Sequence, residues 1–190
     1  VRIVGGKYRG RKLETGPDQA IRPTSDRTRE ALFSILAHNA ALAPLDDDRP
    51  AWPREARVLD ACAGTGALGL EAWSRGAAQV AFIEKAPAHC RLIERNASGC
   101  GIDRPQVFQR DAVLPGKAPQ AFDLVFTDPP YADGLVPQIL SALATQGWIA
   151  PGALVVAEIP AKGVLLPPSG FAALDERVYG AARLVFLRHR

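Results

Sequence analysis

Val58-Leu59-Asp60-Ala61-Cys62-Ala63-Gly64-Thr65-Gly66-Ala67-Leu68-Gly69 is the stretch whose reading decides the fold. Val58 to Ala61 has the apolar character of a short buried strand, broken by one acid. Small residues and closely spaced glycines follow, and residues 66–75 then read as a helix. A strand that turns into a helix within a few residues opens a strand–helix–strand unit. Gly64, Gly66 and Gly69 satisfy G-x-G-x-x-G, the dinucleotide fingerprint. Alone that match is weak, because glycines serve any tight strand-to-helix turn.

The same rhythm continues downstream. Gln79 to Glu84 predicts a second strand, and Pro87 to Ala97 a helix with proline in its first turn. Val107 to Gln109 and Phe122 to Thr127 predict the third and fourth strands. Residues 134–146 predict a helix ending near Gly147, and Ala153 to Glu158 a fifth strand. Arg177 to Tyr179 and Arg183 to Leu187 flank Gly180-Ala181-Ala182 as an antiparallel pair. Alternating elements of this kind imply an α/β fold, a mostly parallel sheet with helices on both faces. Upstream, residues 1–13 alternate around Gly5-Gly6, which predicts a hairpin turn. Ser25 or Thr24 caps a helix with Ala31, Leu32, Ile35 and Leu36 on one face. Residues 39–55, with Pro44, Pro50, Pro53 and three aspartates, read as a loop. The expected division is a basic hairpin and helix over 1–38, an extension of the same domain, and a main body over 39–190.

Composition narrows the classes. With 190 residues and 47% apolar content, the chain can bury one core. No apolar run approaches the roughly 20 residues that span a bilayer, and the N-terminus has no signal-peptide pattern. Because the sequence contains no methionine, Val1 is not read as the translated start. Cys62, Cys90 and Cys100 lack metal-ligand spacing, as do His38, His89 and His189, so a reduced cytoplasmic compartment and no metal are expected. Net charge is +3, yet residues 1–13 hold five basic side chains and no acid. A basic arm on a nearly balanced body suggests docking to a polyanion, although a solvated edge has the same signature.

Charge also separates the ligands of the glycine loop. A dinucleotide pyrophosphate favours helix N–H dipoles and no nearby anion, whereas Asp60 would repel it. S-adenosylmethionine presents an ammonium and a sulfonium, both favoured by a carboxylate. Glu84 ends the second strand, placed for both ribose hydroxyls, which suits either ligand. Asp111 follows the third strand, placed for an adenine amino group. Three acids at three successive strand ends favour the methyl donor. Ala63, Thr65, Lys85 and Ala112 flank these positions and complete the expected cofactor-binding set.

Asp128-Pro129-Pro130-Tyr131 ends the fourth strand abruptly, because prolines lack N–H donors and fix φ. It offers a carboxylate, a stiff turn and an aromatic face where α/β sheets bind ligands. An exocyclic amino group is a poor nucleophile. Accepting its protons at Asp128 and the Pro129 carbonyl would orient it and stabilise the positive charge that grows on nitrogen. Tyr131 can stack on a base. Cys62 is without a histidine to activate it and reads as packing beside the cofactor.

Arg2-Ile3-Val4-Gly5-Gly6-Lys7-Tyr8-Arg9-Gly10-Arg11-Lys12-Leu13, then Arg22-Pro23-Thr24-Ser25-Asp26-Arg27-Thr28-Arg29-Glu30-Ala31-Leu32-Phe33, resembles the N-terminus of the RsmD-type bacterial 16S rRNA guanine-N2 methyltransferases. The likeness runs on through Ala63 to Ala72, Ser74 to Ala77 and Asp128 to Tyr131, and so covers most of the chain. It implies a Rossmann-like class I S-adenosylmethionine-dependent fold of seven strands with an antiparallel C-terminal strand. It implies methyl transfer to N2 of guanine 966, with an assembling small ribosomal subunit as substrate and a monomeric enzyme. By that similarity Asp60, Gly64, Gly66, Glu84 and Asp111 contact the cofactor, and Asp128 and Tyr131 hold the base. Arg2, Lys7, Arg9, Arg11, Lys12, Arg22 and Arg27 would engage RNA. Ala61-Cys62 departs from a bulkier pair such as Leu-Phe, and Tyr131 stands where Phe is also common.

Other readings stay open on the motifs alone. A DNA amino-methyltransferase shares the tetrapeptide but needs a target-recognition domain. A glutamine-methylating enzyme would carry Asn in place of Asp128. An NAD-dependent oxidoreductase is disfavoured by Asp60, and a non-catalytic RNA-binding module by the intact motifs.

Overall fold

A computed structural model of the chain describes residues 1–16, 25–46, 48, 50–130 and 134–190. Seven strands form one sheet: β1 (Arg57–Ala61), β2 (Gln79–Glu84), β3 (Gln106–Gln109), β4 (Phe122–Thr127), β5 (Ile149–Pro160), β6 (Phe171–Tyr179) and β7 (Ala182–His189). Their order is β3-β2-β1-β4-β5-β7-β6. The first five in that order pair in parallel, and β7 runs antiparallel between β5 and β6. The antiparallel strand expected at the C-terminus is therefore inserted into the sheet rather than added at its edge.

Strand alternation sorts the core into two layers. Val58, Leu124, Phe126 and Val156 face α1 (Asp26–His38), α2 (Ala67–Ser74) and α3 (Pro87–Gly99). Leu59, Val125, Val155 and Ala157 face the other way, onto Val136, Ile139, Leu140 and Leu143 of α4 (Leu135–Thr145). Helices thus cover both faces. Among the described residues no helix is long and apolar enough to cross a membrane.

Most predicted elements stand within a residue or two of their expected bounds, and the differences have local causes. β5 begins at Ile149 instead of Ala153, because pairing with β4 survives a register shift between Phe122 and Leu124. β6 begins at Phe171 instead of Arg177, since its polar edge face hides the strand in the sequence. The predicted loop over 39–55 contains a short 3-10 helix (Ala40–Leu42). Its Leu42 and Trp52 are buried, and the Trp52 indole donates to the Leu42 carbonyl at 2.7 Å. Asp47 falls outside the described residues.

The N-terminal arm is a hairpin by pairing but not by turn. Arg2 bridges Lys12, while Ile3 donates to Arg11 and Gly10 to Ile3. Gly5-Gly6, expected as the turn itself, instead docks on the end of α2. Gly6 has φ +76°, and a Cβ there would meet the Ser74 carbonyl oxygen at 1.9 Å. Lys7 N–H donates to that carbonyl at 2.7 Å, and the Ser74 hydroxyl donates to Gly5 at 2.6 Å. Ser25 caps α1 by accepting from Thr28 N–H. The buried face of α1 runs through Thr28, Arg29, Leu32, Phe33 and Leu36, rotated from the predicted face so that Arg29 is enclosed. Glu71, also fully buried, accepts from Val4 N–H at 2.8 Å and from Arg75 Nε at 2.7 Å, with Arg29 Nε at 3.8 Å. Two helices and the arm share this ionic cluster.

Candidate active site

β1 and β4 are neighbours, while the chain between them builds outward through β2 and β3. Such a reversal leaves a crevice at the carboxyl ends of the strands. A cleft of about 680 Å³ opens there. Its size falls within the ~300–1,000 Å³ usual for small-molecule sites. The opposite rim is closed by structure: Arg57 at the start of β1 donates to both carboxylate oxygens of Asp123, from Nε at 3.0 Å and Nη2 at 2.8 Å.

Asp60 stands at the end of β1 and lines the cleft, yet is only 2% exposed. Its Oδ2 accepts from Gly69 N–H at 2.8 Å. Burial pushes its pKa up to about 8, the Gly69 bond opposes that, and the nearby Glu84 charge adds to it. Gly69 makes the arrangement possible, because a Cβ there would lie 2.6 Å from the Phe82 ring.

Glu84 was expected to reach two ribose hydroxyls, and it also organises the loop. Its Oε2 accepts from Gly64 N–H and its Oε1 from Ala86 N–H, each at 2.8 Å. Carboxylate oxygens have further lone pairs, so both tasks are compatible. Lys85 spans the rim to Asp111 at 2.8 Å. The Lys85 hydrogen bond holds the Asp111 carboxyl below its usual range, aided by Val113 N–H. Ala63, Gly64, Thr65 and Ala112 line the same cleft. Gly66 does not; it is the N-cap of α2 in the left-handed region.

Asp128, half-buried, and the prolines after it line the acceptor end. Tyr131 and Arg22 lie outside the described residues. Cys62 has φ 64°, and burial pushes its thiol up to about 12, with Glu84 adding to the shift. An unreactive thiol of that kind agrees with packing and not nucleophilic work. Of the expected RNA-facing set, Arg2, Lys7, Arg9, Arg11, Lys12 and Arg27 are all exposed. Three ionisable cleft residues were missed by the sequence reading: His89, Arg110 and Glu158. Glu158 had a signal, since it closes the predicted fifth strand with an acid; the other two had none.

The arm is coupled to the loop. Asn96, buried on α3, donates to the Thr65 carbonyl at 3.0 Å and accepts from Glu14 N–H at 2.8 Å.

A family described as "Conserved hypothetical protein 95" matches residues 1–188. The chain belongs to this family, the RsmD family. It is 35% identical over 182 residues to the Escherichia coli "Ribosomal RNA small subunit methyltransferase D", covering 95% of this chain and 85% of that protein. The protein of the same description from Haemophilus influenzae is 32% identical over 185 residues, covering 95% and 89%. A solved structure, "Putative methyltransferase yhhF from Escherichia coli", superposes with a TM-score of 0.80 at 33% identity, covering 100% of this chain and 97% of that one. The family is one of methyltransferases with a Rossmann-like fold, and the sheet order agrees with that fold.

Proposed function

We propose that this chain transfers a methyl group from S-adenosylmethionine to the exocyclic N2 of guanine 966 in 16S rRNA. One observation carries the reading: Asp128-Pro129-Pro130 opens onto the same cleft as Asp60, Glu84 and Asp111. Donor and acceptor groups are thereby gathered within one crevice.

The donor set fits S-adenosylmethionine. Asp60 is a buried carboxylate facing the like charge of Glu84, a situation that a ligand ammonium relieves. Glu84 takes the ribose hydroxyls, and Asp111 with Ala112 and Lys85 frames the adenine. When bound, S-adenosylmethionine supplies an electrophilic methyl whose bond to sulfur breaks, with its electron pair, as the nitrogen–carbon bond forms. Asp128 and the Pro129 carbonyl hold the amino N–H groups and so aim the nitrogen lone pair. Asp128 then stabilises the positive charge on nitrogen and accepts the proton that the methylated amine must lose. Tyr131 supplies the stacking face.

The names borne by the relatives support ribosomal RNA as the substrate class, and the specific N-terminal blocks support the guanine target. The arm, over 1–38, engages phosphates of the small subunit or of a late assembly intermediate. A monomer working in the cytoplasm suits the three free cysteines.

Labelled methyl transfer to undermodified small subunits, mapped by mass spectrometry, tests the reading. The label is expected on N2 of a single guanine. Label in DNA or on a glutamine would replace the reading with one of the alternatives. Asp128→Ala is expected to lower transfer at least about 100-fold while S-adenosylhomocysteine still binds. Retained activity would place the acceptor elsewhere.

A further inference from the structure

Glu158, near the carboxyl end of β5, is 8% exposed and lines the cleft. β4 and β5 run parallel with Thr127 opposite Ala157, so the next residues along the two strands are Asp128 and Glu158. Two carboxylates thus line the acceptor end from neighbouring strands, with apolar Leu135 and Ile139 of α4 lining the same cleft. Asp60, Glu84 and Asp111 belong to the strands on the other side, β1, β2 and the end of β3.

A target that fills this end is selected by what its edge can donate. Guanine presents N1–H beside the N2 amino group, three N–H hydrogens in a row. Adenine presents an amino group beside the N1 lone pair, and cytosine one beside the N3 lone pair. A glutamine amide has two N–H hydrogens and nothing more. Asp128 and the Pro129 carbonyl account for the two amino hydrogens, and a third acceptor is useful only to guanine. Resting on the guanine reading above, we propose that Glu158 is the specificity-determining residue, accepting the N1–H hydrogen bond of the target base while Asp128 holds N2. With adenine or cytosine, a ring lone pair would face the carboxylate with no proton between them. Sites built to bond a group strongly reject a ligand that lacks it.

The decisive comparison uses 2-aminopurine, which keeps the N2 amino group but carries a lone pair at N1. Small subunits reconstituted on RNA with guanine or 2-aminopurine at the target position are offered to the wild type and to Glu158→Gln. The wild type is expected to favour guanine at least about 100-fold. The Gln side chain can donate to N1, so its ratio is expected to move toward 2-aminopurine by at least about 30-fold. S-adenosylhomocysteine binding checks that the variant is folded; if it is not, the wild-type ratio alone decides. Equal wild-type rates on the two bases overturn the assignment, as does an equal drop of both rates in the variant. A wild type that methylates no guanine on native-sequence subunits overturns the guanine reading itself, a different result from activity with an unmoved ratio.

Discussion

A carboxylate 2% exposed, with Glu84 nearby, keeps its proton far above the usual range, and Asp60 does so to about 8. An unfolded aspartate gives that proton up near 4. Between those values the folded state holds the extra proton, so the contribution of Asp60 to stability falls as pH rises from about 4 to about 8. A ligand ammonium favours the ionised form, so binding at a pH below about 8 expels the proton. Calorimetric titration of S-adenosylhomocysteine near neutral pH, in buffers of differing ionisation enthalpy, is expected to show release of up to about one proton. Asp60→Asn should remove that release and flatten the fall in melting temperature across the same window. Unchanged proton release in the variant would assign the proton to another group. That Asp60 lines the cleft at the strand ends was legible from a lone acid at a strand end. Its bond to Gly69 and its displaced pKa were not, because both arise from packing of α2 over the strand.

At the scale of elements, Arg29 and Glu71 show where periodicity misleads. A helix pattern sorts residues by polarity, so Arg29 reads as solvent-facing. Asp26 on the same helix pairs with it at 2.8 Å, while its second carboxylate, Glu71, belongs to a different helix, and the distance in sequence hides that part of the cluster. The cluster also receives the arm through Val4 N–H. Glu71→Ala is therefore expected to cost about 3 kcal/mol in urea melts, since it strips the buried acceptor from Val4 N–H and Arg75 and leaves Arg29 with Asp26 as its carboxylate partner. The same variant should free the arm, seen as faster tryptic cleavage at Arg9 and Arg11. A loss below about 1 kcal/mol would show that the cluster is not what holds the arm. The strands themselves were read well wherever both faces are apolar. They were cut short in β5 and β6, where proline, glycine or charge interrupts a pairing that only the neighbouring strand reveals.

The whole molecule separates charge by end and by element. Acids gather at the carboxyl rim of the sheet, while Arg9, Arg11 and Lys12 project from the arm. Neutralising those three should weaken binding to small subunits and lower the log–log salt slope by roughly 2–3, as expected for lost phosphate contacts. An unchanged slope would leave them as a solvated edge. Sequence by itself determined the strand–helix rhythm, the loop at Asp60, the strand-end acids and the motif at Asp128. Each of these is written in adjacent residues, through backbone restriction or local polarity. Only the tertiary structure decided the strand order, the burial of Arg29 with Glu71, the docking of Gly6 on Ser74, and the placing of Glu158 in one cleft with Asp128. Those depend on contacts between residues far apart in the chain, whose energies come from packing and desolvation that no local pattern encodes.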